Sequence, residues 1–141
     1  HRDVSADDAL PAWLTRLSPD EWIRQGLTEL SRAEQRLHAH DREAAVLGLR
    51  RAAGMALNGA LSVQFRAWGR TYVEHLRAIA DDAAVPDAVR TAARVVNDVR
   101  LDKQPNVVVL PPPSESAGWL EAAKTVMAHA YAVVHGSVGR S

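Results

Sequence analysis

The chain reads RAAGMALNGAL at residues 51–61, a stretch built almost entirely from small and medium apolar side chains. It belongs to a predicted helix that begins near Asp41 or Arg42. One face of this helix carries the larger apolar side chains of Leu49, Leu57 and Leu61, together with Ala53 and Ala60. The adjoining face carries small ones, namely Ala52, Ala56 and Gly59, and ends at Val63. Because small side chains let another backbone approach closely, this face predicts tight helix pairing.

The preceding helix has a clear start in the sequence LSPDEW at residues 17–22. Ser18 is placed to accept hydrogen bonds from the first free amides, and Pro19 suits the first helical position. Glu21 follows Ser18 by three residues and completes a capping box. This helix should fade near residues 38–41, so a short loop would join the two helices into an antiparallel hairpin.

Three more helices are predicted downstream. Gly69 is expected to stop the second helix, and the capping box Thr71-x-x-Glu74 starts a third that runs to about Asp81. Pro86 opens a fourth helix. A β-prone run at residues 106–110, cut off by the prolines at 111–113, predicts an irregular crossover. A fifth helix is expected from about Ala117 to His135.

The predicted fold is therefore all-α, an antiparallel bundle of four to five helices with a long first hairpin and a Pro-rich crossover before the last helix. A length of 141 residues fits one domain, residues 1–141, with a core at about 18–135 and tails at 1–12 and 136–141. Leu10, Trp13 and Leu14 form an apolar patch that is expected to pack back on the body.

Composition narrows the function classes. The formal net charge is +0, so no global field attracts nucleic acid or an anionic membrane, and Cys is absent, which excludes disulfides and thiolate sites. We expect a soluble cytoplasmic protein, because no apolar run approaches the roughly 20 residues of a membrane span and no signal peptide opens the chain. No phosphate-loop, dinucleotide or metalloprotease motif occurs, so no cofactor or metal is expected.

The last helix carries the most reactive group of side chains, in the string KTVMAHAY at residues 124–131. Lys124 and Tyr131 share one face of a straight helix, whereas His129 lies about 140° away at roughly 100° per residue. Catalysis by all three would need a kinked turn or a second subunit. The structural alternative is a solvated Lys124, a half-exposed His129 and a Tyr131 at the edge of the core.

A second group surrounds the start of the third helix. Arg70 and His75 form an R-x4-H spacing, but the capping box places Arg70 before the helix and His75 in its second turn, which favours structural roles. Trp68 and Tyr72 flank this corner and are expected to be buried anchors. As an alternative, Trp22, Trp68 and Tyr72 could line a ligand pocket.

Taken together, the segments resemble the HEPN superfamily of small helical bundles. The resemblance is carried by ELSRA at 29–33, RAAGMALNGAL at 51–61, TYVEHLRAIA at 71–80 and the closing helix at 122–134. It implies dimerisation through the helical hairpins. It also implies one of two functions. Some members of the superfamily are metal-independent ribonucleases that carry R-x4-H-x-Y, and other members are accessory partners of nucleotidyltransferases and other proteins.

In this chain Lys124, His129 and Tyr131 occupy the ribonuclease spacing, with Lys in place of Arg. Lys is a point charge without the planar fork that binds phosphate in two places. We therefore predict a non-catalytic HEPN-like interaction or accessory module with a protein partner such as a nucleotidyltransferase. It would act as a homodimer through the face of small residues, namely Ala52, Ala56, Gly59 and Val63.

Two alternatives from other functional classes remain open. The first is a metal-independent endoribonuclease of the HEPN toxin type, in which His129 acts as acid or base on RNA, Lys124 stabilises charge and Tyr131 positions the substrate. The second is a regulatory bundle that binds a small ligand or nucleotide beside Trp22, Trp68 and Tyr72.

Overall fold

The computed structural model describes residues 10–98 and 113–136, with side chains described from residue 117 onward in the second range. Across these residues the chain forms helices and no strand, which confirms the all-α prediction. There are six helices in the described ranges: α1 (Ala12–Thr15), α2 (Pro19–His38), α3 (Arg42–Val63), α4 (Tyr72–Ala80), α5 (Asp87–Asp98) and α6 (Pro113–Val134). None of them is long and apolar enough to cross a membrane.

Helix α3 is the central element of the bundle. It contacts each of the other five described helices, most extensively α2 and then α6. Thirteen of its 22 residues are buried, including Asn58. A helix surrounded by neighbours on most sides is apolar on most sides, and small side chains keep those neighbours close. The Ala- and Gly-rich sequence of α3 therefore reflects its central position.

The small-residue face of α3 is covered by helices of the same chain. A Cβ atom at Gly26 of α2 would lie 2.9 Å from the carbonyl oxygen of Ala52 and 3.4 Å from the amide nitrogen of Ala56. A Cβ atom at Gly59 would lie 2.8 Å from the carbonyl oxygen of Pro19 and 3.3 Å from a methyl carbon of Val134. The tight pairing predicted for this face thus occurs within the bundle, against α2 and α6.

Residues 39–41 join α2 to α3 in a compact reversal. The amide of Asp41 donates to the carbonyl of Arg36, and the amide of His40 donates to that of Leu37, which is the Schellman arrangement at a helix end. His40 adopts a φ of 64°, the left-handed conformation that usually requires glycine at this position. Asp41 then caps α3 through the amide of Ala44.

Two predicted boundaries are wrong. Helix α3 ends at Val63, six residues before Gly69, because Gln64 is already extended at φ −139° and ψ 87°. Gly69 does adopt a positive φ of 83°, but inside the loop, where a side chain would collide with Glu74. Helix α6 begins at Pro113 and not near Ala117, in keeping with the tolerance of proline in a first helical turn. The predicted β-prone run at 106–110 lies outside the described residues.

The segment before α2 folds back on the bundle, as its apolar patch predicts. Helix α1 buries Leu14 completely, and the carbonyl of Leu14 accepts a 2.9 Å hydrogen bond from the indole Nε1 of Trp22. This contact fixes α1 beside the start of α2 and brings Trp13 toward His75 of α4. Trp13, near the start of the chain, and His75, near its middle, thereby meet at one corner of the bundle.

Candidate ligand-binding site

A cavity of about 410 Å³ opens where α1, α2, α3 and the start of α4 meet. It is an open depression in the surface and not an enclosed pocket, and its volume lies within the range of roughly 300–1,000 Å³ of small-molecule sites. The lining combines aromatic, cationic and neutral polar side chains: Trp13, Arg16, Trp22, Asn58, Arg70, Thr71 and Tyr72. We call it the Trp–Arg cavity.

The two arginines of the cavity are held by aromatic rings. The Cζ atom of Arg16 lies 5.1 Å from the ring centroid of Trp22, and that of Arg70 lies 5.7 Å from the ring centroid of Trp13. No guanidinium N–H of Arg16 or Arg70 donates to another group within the described residues, so these donors are available to a ligand. Within residues 10–98 and 113–136, neither arginine pairs with a carboxylate.

His75 lies beneath the cavity and has no exposed surface. Its Nδ1 atom is 3.0 Å from the carbonyl oxygen of Trp68, and its Nε2 atom is 2.7 Å from Oδ1 of Asn58. Burial lowers the pKa of His75, so the imidazole is neutral and has one N–H, which donates to the carbonyl of Trp68. Nε2 must then accept, which requires the amide nitrogen of Asn58 at the position that Oδ1 occupies in the structure.

The aromatic side chains around His75 are fixed by packing. Trp13 stacks on the imidazole with ring centroids 5.9 Å apart, and Tyr72 meets it edge-on at 6.4 Å. The Tyr72 ring also occupies the space above Gly54, where a Cβ atom would lie only 2.3 Å from ring carbons. Burial raises the pKa of Tyr72, so its phenol stays protonated and can both donate and accept a hydrogen bond.

The prediction of a ligand pocket named three residues, two of which line this cavity. Trp22 and Tyr72 line the cavity, whereas Trp68 lies outside its lining. The indole of Trp68 donates to Asp82 at 3.2 Å, and its carbonyl oxygen accepts from His75. Trp68 is a buried anchor, the structural role that its position also suggested.

Sequence reasoning missed the polar half of the cavity. Arg16 and Asn58 were not singled out, and Arg70 was assigned a structural role. One signal was available for Asn58: a lone amide in the apolar run 51–61 must find a buried partner. Nothing in the sequence pairs Arg16 with Arg70, because both line the cavity only once α1 has folded back on the bundle through Leu14 and Trp22.

Each of the three residues predicted for ribonuclease chemistry interacts with a different group. Helix α6 is uninterrupted across them. Lys124 pairs with Glu121 at 3.6 Å, and the Tyr131 ring lies 4.1 Å from that of His135. His129 is half-buried, and burial, together with the charge of Arg66, lowers its pKa. The cation whose charge acts on His129 is thus Arg66 from the α3–α4 loop, and no kink in α6 brings His129 and Lys124 onto one face.

Of the residues predicted to form a homodimer face, three are internal. Ala52 and Ala56 are fully buried, and Gly59 is buried against α2 and α6. Val63 alone among the four is exposed, at 48%. A second copy of the chain cannot reach the other three while α2 and α6 cover them, so a homodimer would need another surface.

The described residues contain no group of three or more His, Asp or Glu side chains placed to hold a metal ion. Comparison of the chain with profiles of known protein families, with curated protein sequences and with solved structures gives no match in any of the three.

Proposed function

We propose that the chain is a non-catalytic helical binding module whose Trp–Arg cavity takes a small anionic ligand that carries a phosphate group, such as a mononucleotide. The observation that carries this proposal is the pair of arginines, Arg16 and Arg70, each held over an indole and without a carboxylate partner in the described part of the chain. Two guanidinium groups in the lining of one concave site favour the binding of an anion there.

The cavity favours an anion over a neutral aromatic ligand. Arg16 covers a face of Trp22, and His75 and Arg70 both contact the Trp13 ring. The site therefore offers N–H donors in preference to bare ring surfaces. Thr71 adds a hydroxyl to the lining, which accepts from the Glu74 amide and also interacts with the Glu74 carboxylate. A phosphate group suits two guanidinium forks best, because its oxygens can accept from both in pairs.

The same residues argue against a reaction at this site. His75 is the nearest group with an ordinary pKa close to neutrality, but both of its ring nitrogens are engaged and it has no exposed surface. The Glu74 carboxylate accepts from the amides of Arg70 and Thr71, and these bonds lower its pKa. Neither group is available to move a proton to or from a ligand in the cavity.

Calorimetric titration with AMP tests the proposal. AMP should bind the unaltered protein, and Arg16→Gln and Arg70→Gln should each weaken binding by on the order of tenfold or more, the usual effect of removing a charge-assisted hydrogen bond. Arg77→Gln, an exposed arginine of α4 outside the cavity, is the matched control and should bind normally. Absence of AMP binding, or equal affinity in all four proteins, would contradict the proposal.

A second candidate is the HEPN-like accessory module that acts as a homodimer. The observation in its favour is the exposed apolar end of α3, where Val63 is 48% exposed and Phe65 in the following loop is 54% exposed. Light scattering at high micromolar concentration tests it. A dimer that Val63→Asp and Phe65→Asp convert to a monomer would support this candidate, and a monomeric unaltered protein would exclude it.

A further inference from the structure

A second concave surface lies between α2 and α3, and we call it the α2–α3 cleft. It encloses about 220 Å³ and shares no lining residue with the Trp–Arg cavity. Its lining combines small and aliphatic side chains with a charged rim: Glu29, Arg32, Ala33, Arg36, Ala44, Leu47, Gly48 and Arg51. The volume is below the roughly 300–1,000 Å³ of small-molecule sites, so the cleft suits one inserted side chain better than a whole small molecule.

The cleft follows a side of α3 that the other described helices leave open. Thirteen of the 22 residues of α3 are buried, yet Leu47 is 44% exposed, and Arg51, about one turn later, is exposed as well. Gly48 brings the two helices close together here, because a Cβ atom at Gly48 would lie 3.1 Å from that of Ala33. Leu47 therefore offers an aliphatic contact to a partner beside a closely packed helix pair.

The rim of the cleft has an excess of positive charge. Glu29 is its one acidic residue; its side chain is only 14% exposed and pairs with Arg51 at 3.0 Å and with Arg32 at 3.1 Å. Each of these two arginines has guanidinium donors beyond the one that reaches Glu29. Arg36 forms no ion pair with any described residue. The rim therefore complements a negatively charged partner.

The antiparallel course of α2 and α3 sets the order of these groups along the cleft. Glu29 of α2 meets Arg51 of α3 at one end. Arg36 lies seven residues after Glu29, about 10 Å further along the α2 axis, and so lies toward the other end. Leu47 precedes Arg51 by about one turn and lies between the two ends. This order matches a helix with an apolar residue in the middle and an acidic residue about one turn to either side.

We infer that the α2–α3 cleft binds an acidic amphipathic helix of a partner protein. An aliphatic side chain of that helix packs on Leu47, and carboxylates on either side of it pair with Arg36 and Arg51. An amphipathic helix laid in an apolar groove is a recurring mode of peptide recognition. A nucleic acid is a poorer match, because Glu29 lies among the arginines and Leu47 contributes only apolar surface. The inference concerns a surface separate from the Trp–Arg cavity and does not depend on ligand binding there.

Selection from a phage-displayed library of random peptides, each of about 16 residues and thus long enough for four helical turns, tests the inference. Enriched peptides should carry Asp or Glu about one helical turn before and after a Leu, Ile or Met. Fluorescence anisotropy then measures the affinity of the most enriched peptide. Leu47→Asp should weaken binding by on the order of tenfold, through lost apolar contact and charge repulsion. Arg36→Gln should weaken it about two- to fivefold, the usual effect of losing an exposed ion pair.

Two exposed positions outside the cleft supply matched controls. Val95→Asp on α5 and Arg77→Gln on α4 should leave the affinity unchanged. Added salt should weaken binding to the unaltered protein, and less so to Arg36→Gln, because one charge contact is missing there. Thermal unfolding shows whether each variant is folded, and Arg36→Gln carries the test if Leu47→Asp is not.

Three results would overturn the inference. The first is a set of enriched peptides without an excess of Asp and Glu, and the second is an affinity that neither Leu47→Asp nor Arg36→Gln lowers. The third is a dimer of the unaltered protein, seen by light scattering, that Leu47→Asp converts to a monomer, because a second copy of the chain would then occupy the cleft.

Discussion

Nε2 of His75 lies 2.7 Å from the side-chain oxygen position of Asn58, and this buried pair connects the core of the bundle with the wall of the Trp–Arg cavity. His75 belongs to α4 and Asn58 to the central helix α3. The pair therefore fixes the start of α4, and with it Arg70 and Tyr72, relative to α3. Its protonation state matters to the whole corner because charging a fully buried imidazole is unfavourable.

The pH dependence of stability should reveal this neutral histidine. The unfolded chain binds a proton near pH 6.5, whereas burial lowers the pKa of His75 in the folded state. The stability that the neutral imidazole contributes is therefore fully present above the unfolded-state pKa of about 6.5 and is lost as pH falls below it. His129, whose pKa is lowered in the same direction, adds to the loss.

Urea unfolding at pH 7.5 and pH 5.5 measures this effect. His75→Gln should lower stability at pH 7.5, because one buried partner is left unsatisfied, and should reduce the difference between the two pH values. His129→Gln is the matched control and should reduce that difference less, since His129 is only half-buried. A difference between the two pH values that is unchanged by His75→Gln would show that the buried imidazole is charged in the folded protein.

Two glycines in helix interiors should respond in opposite ways to alanine. A Cβ atom at Gly26 would press on the carbonyl oxygen of Ala52, so Gly26→Ala should destabilise the protein by about 1–3 kcal/mol. Gly118 has nothing within 4 Å of its Cβ position, so Gly118→Ala should stabilise it by about 0.5–1 kcal/mol through helix propensity. Chemical denaturation of both variants measures the two changes in the free energy of unfolding. Equal effects would mean that α2 and α3 are less closely packed at Ala52 than described.

The reversal between α2 and α3 offers a stabilising substitution. His40 has a φ of 64°, which costs a side-chain-bearing residue about 1 kcal/mol and glycine almost nothing. His40→Gly should therefore raise the free energy of unfolding by about 0.5 kcal/mol once the greater freedom of glycine in the unfolded chain is included. Ala39→Gly, at a φ of −85°, is the control and should destabilise the protein. Loss of stability in His40→Gly would rule out the left-handed conformation.

Ribonuclease activity gives a test of the alternative function. Because Lys124 pairs with Glu121 and α6 continues without a kink between Lys124 and His129, we expect the protein to leave RNA intact in the presence of a chelator. The unaltered protein and His129→Ala should then give the same RNA profile on a gel. Cleavage that disappears in His129→Ala would contradict the non-catalytic interpretation and favour a site that includes Arg66.

Local signals in the sequence predicted the helices well. Both capping boxes form as expected, with Ser18 and Glu21 at α2 and Thr71 and Glu74 at α4. These predictions succeed because a cap is satisfied by residues three positions apart, without help from the rest of the fold. The helix end predicted at Gly69 is wrong for the opposite reason. Its positive φ is real, but whether it ends a helix or shapes a loop depends on what Glu74 does five residues later.

Long-range relationships could not be predicted in the same way. The sequence shows that α3 has small side chains but not which helix packs against them. Gly26 on α2, which packs against Ala52 and Ala56, was therefore not predicted as a contact. The cavity is harder still, since Arg16 and Arg70 are 54 positions apart and meet only because α1 packs on α2 through Leu14 and Trp22. A site made by such packing leaves no spacing in the sequence.

Nitrogen-detected NMR of the labelled protein during titration with AMP measures the central claim most directly. We predict that the side-chain Nε–H signals of Arg16 and Arg70 and the indole signal of Trp13 shift together with one dissociation constant. The Arg77 side chain and the Trp119 indole, which lie outside the cavity lining, should stay in place. Shifts confined to α6 around Lys124 and His129, or no shift at Arg16 and Arg70, would contradict ligand binding in the Trp–Arg cavity.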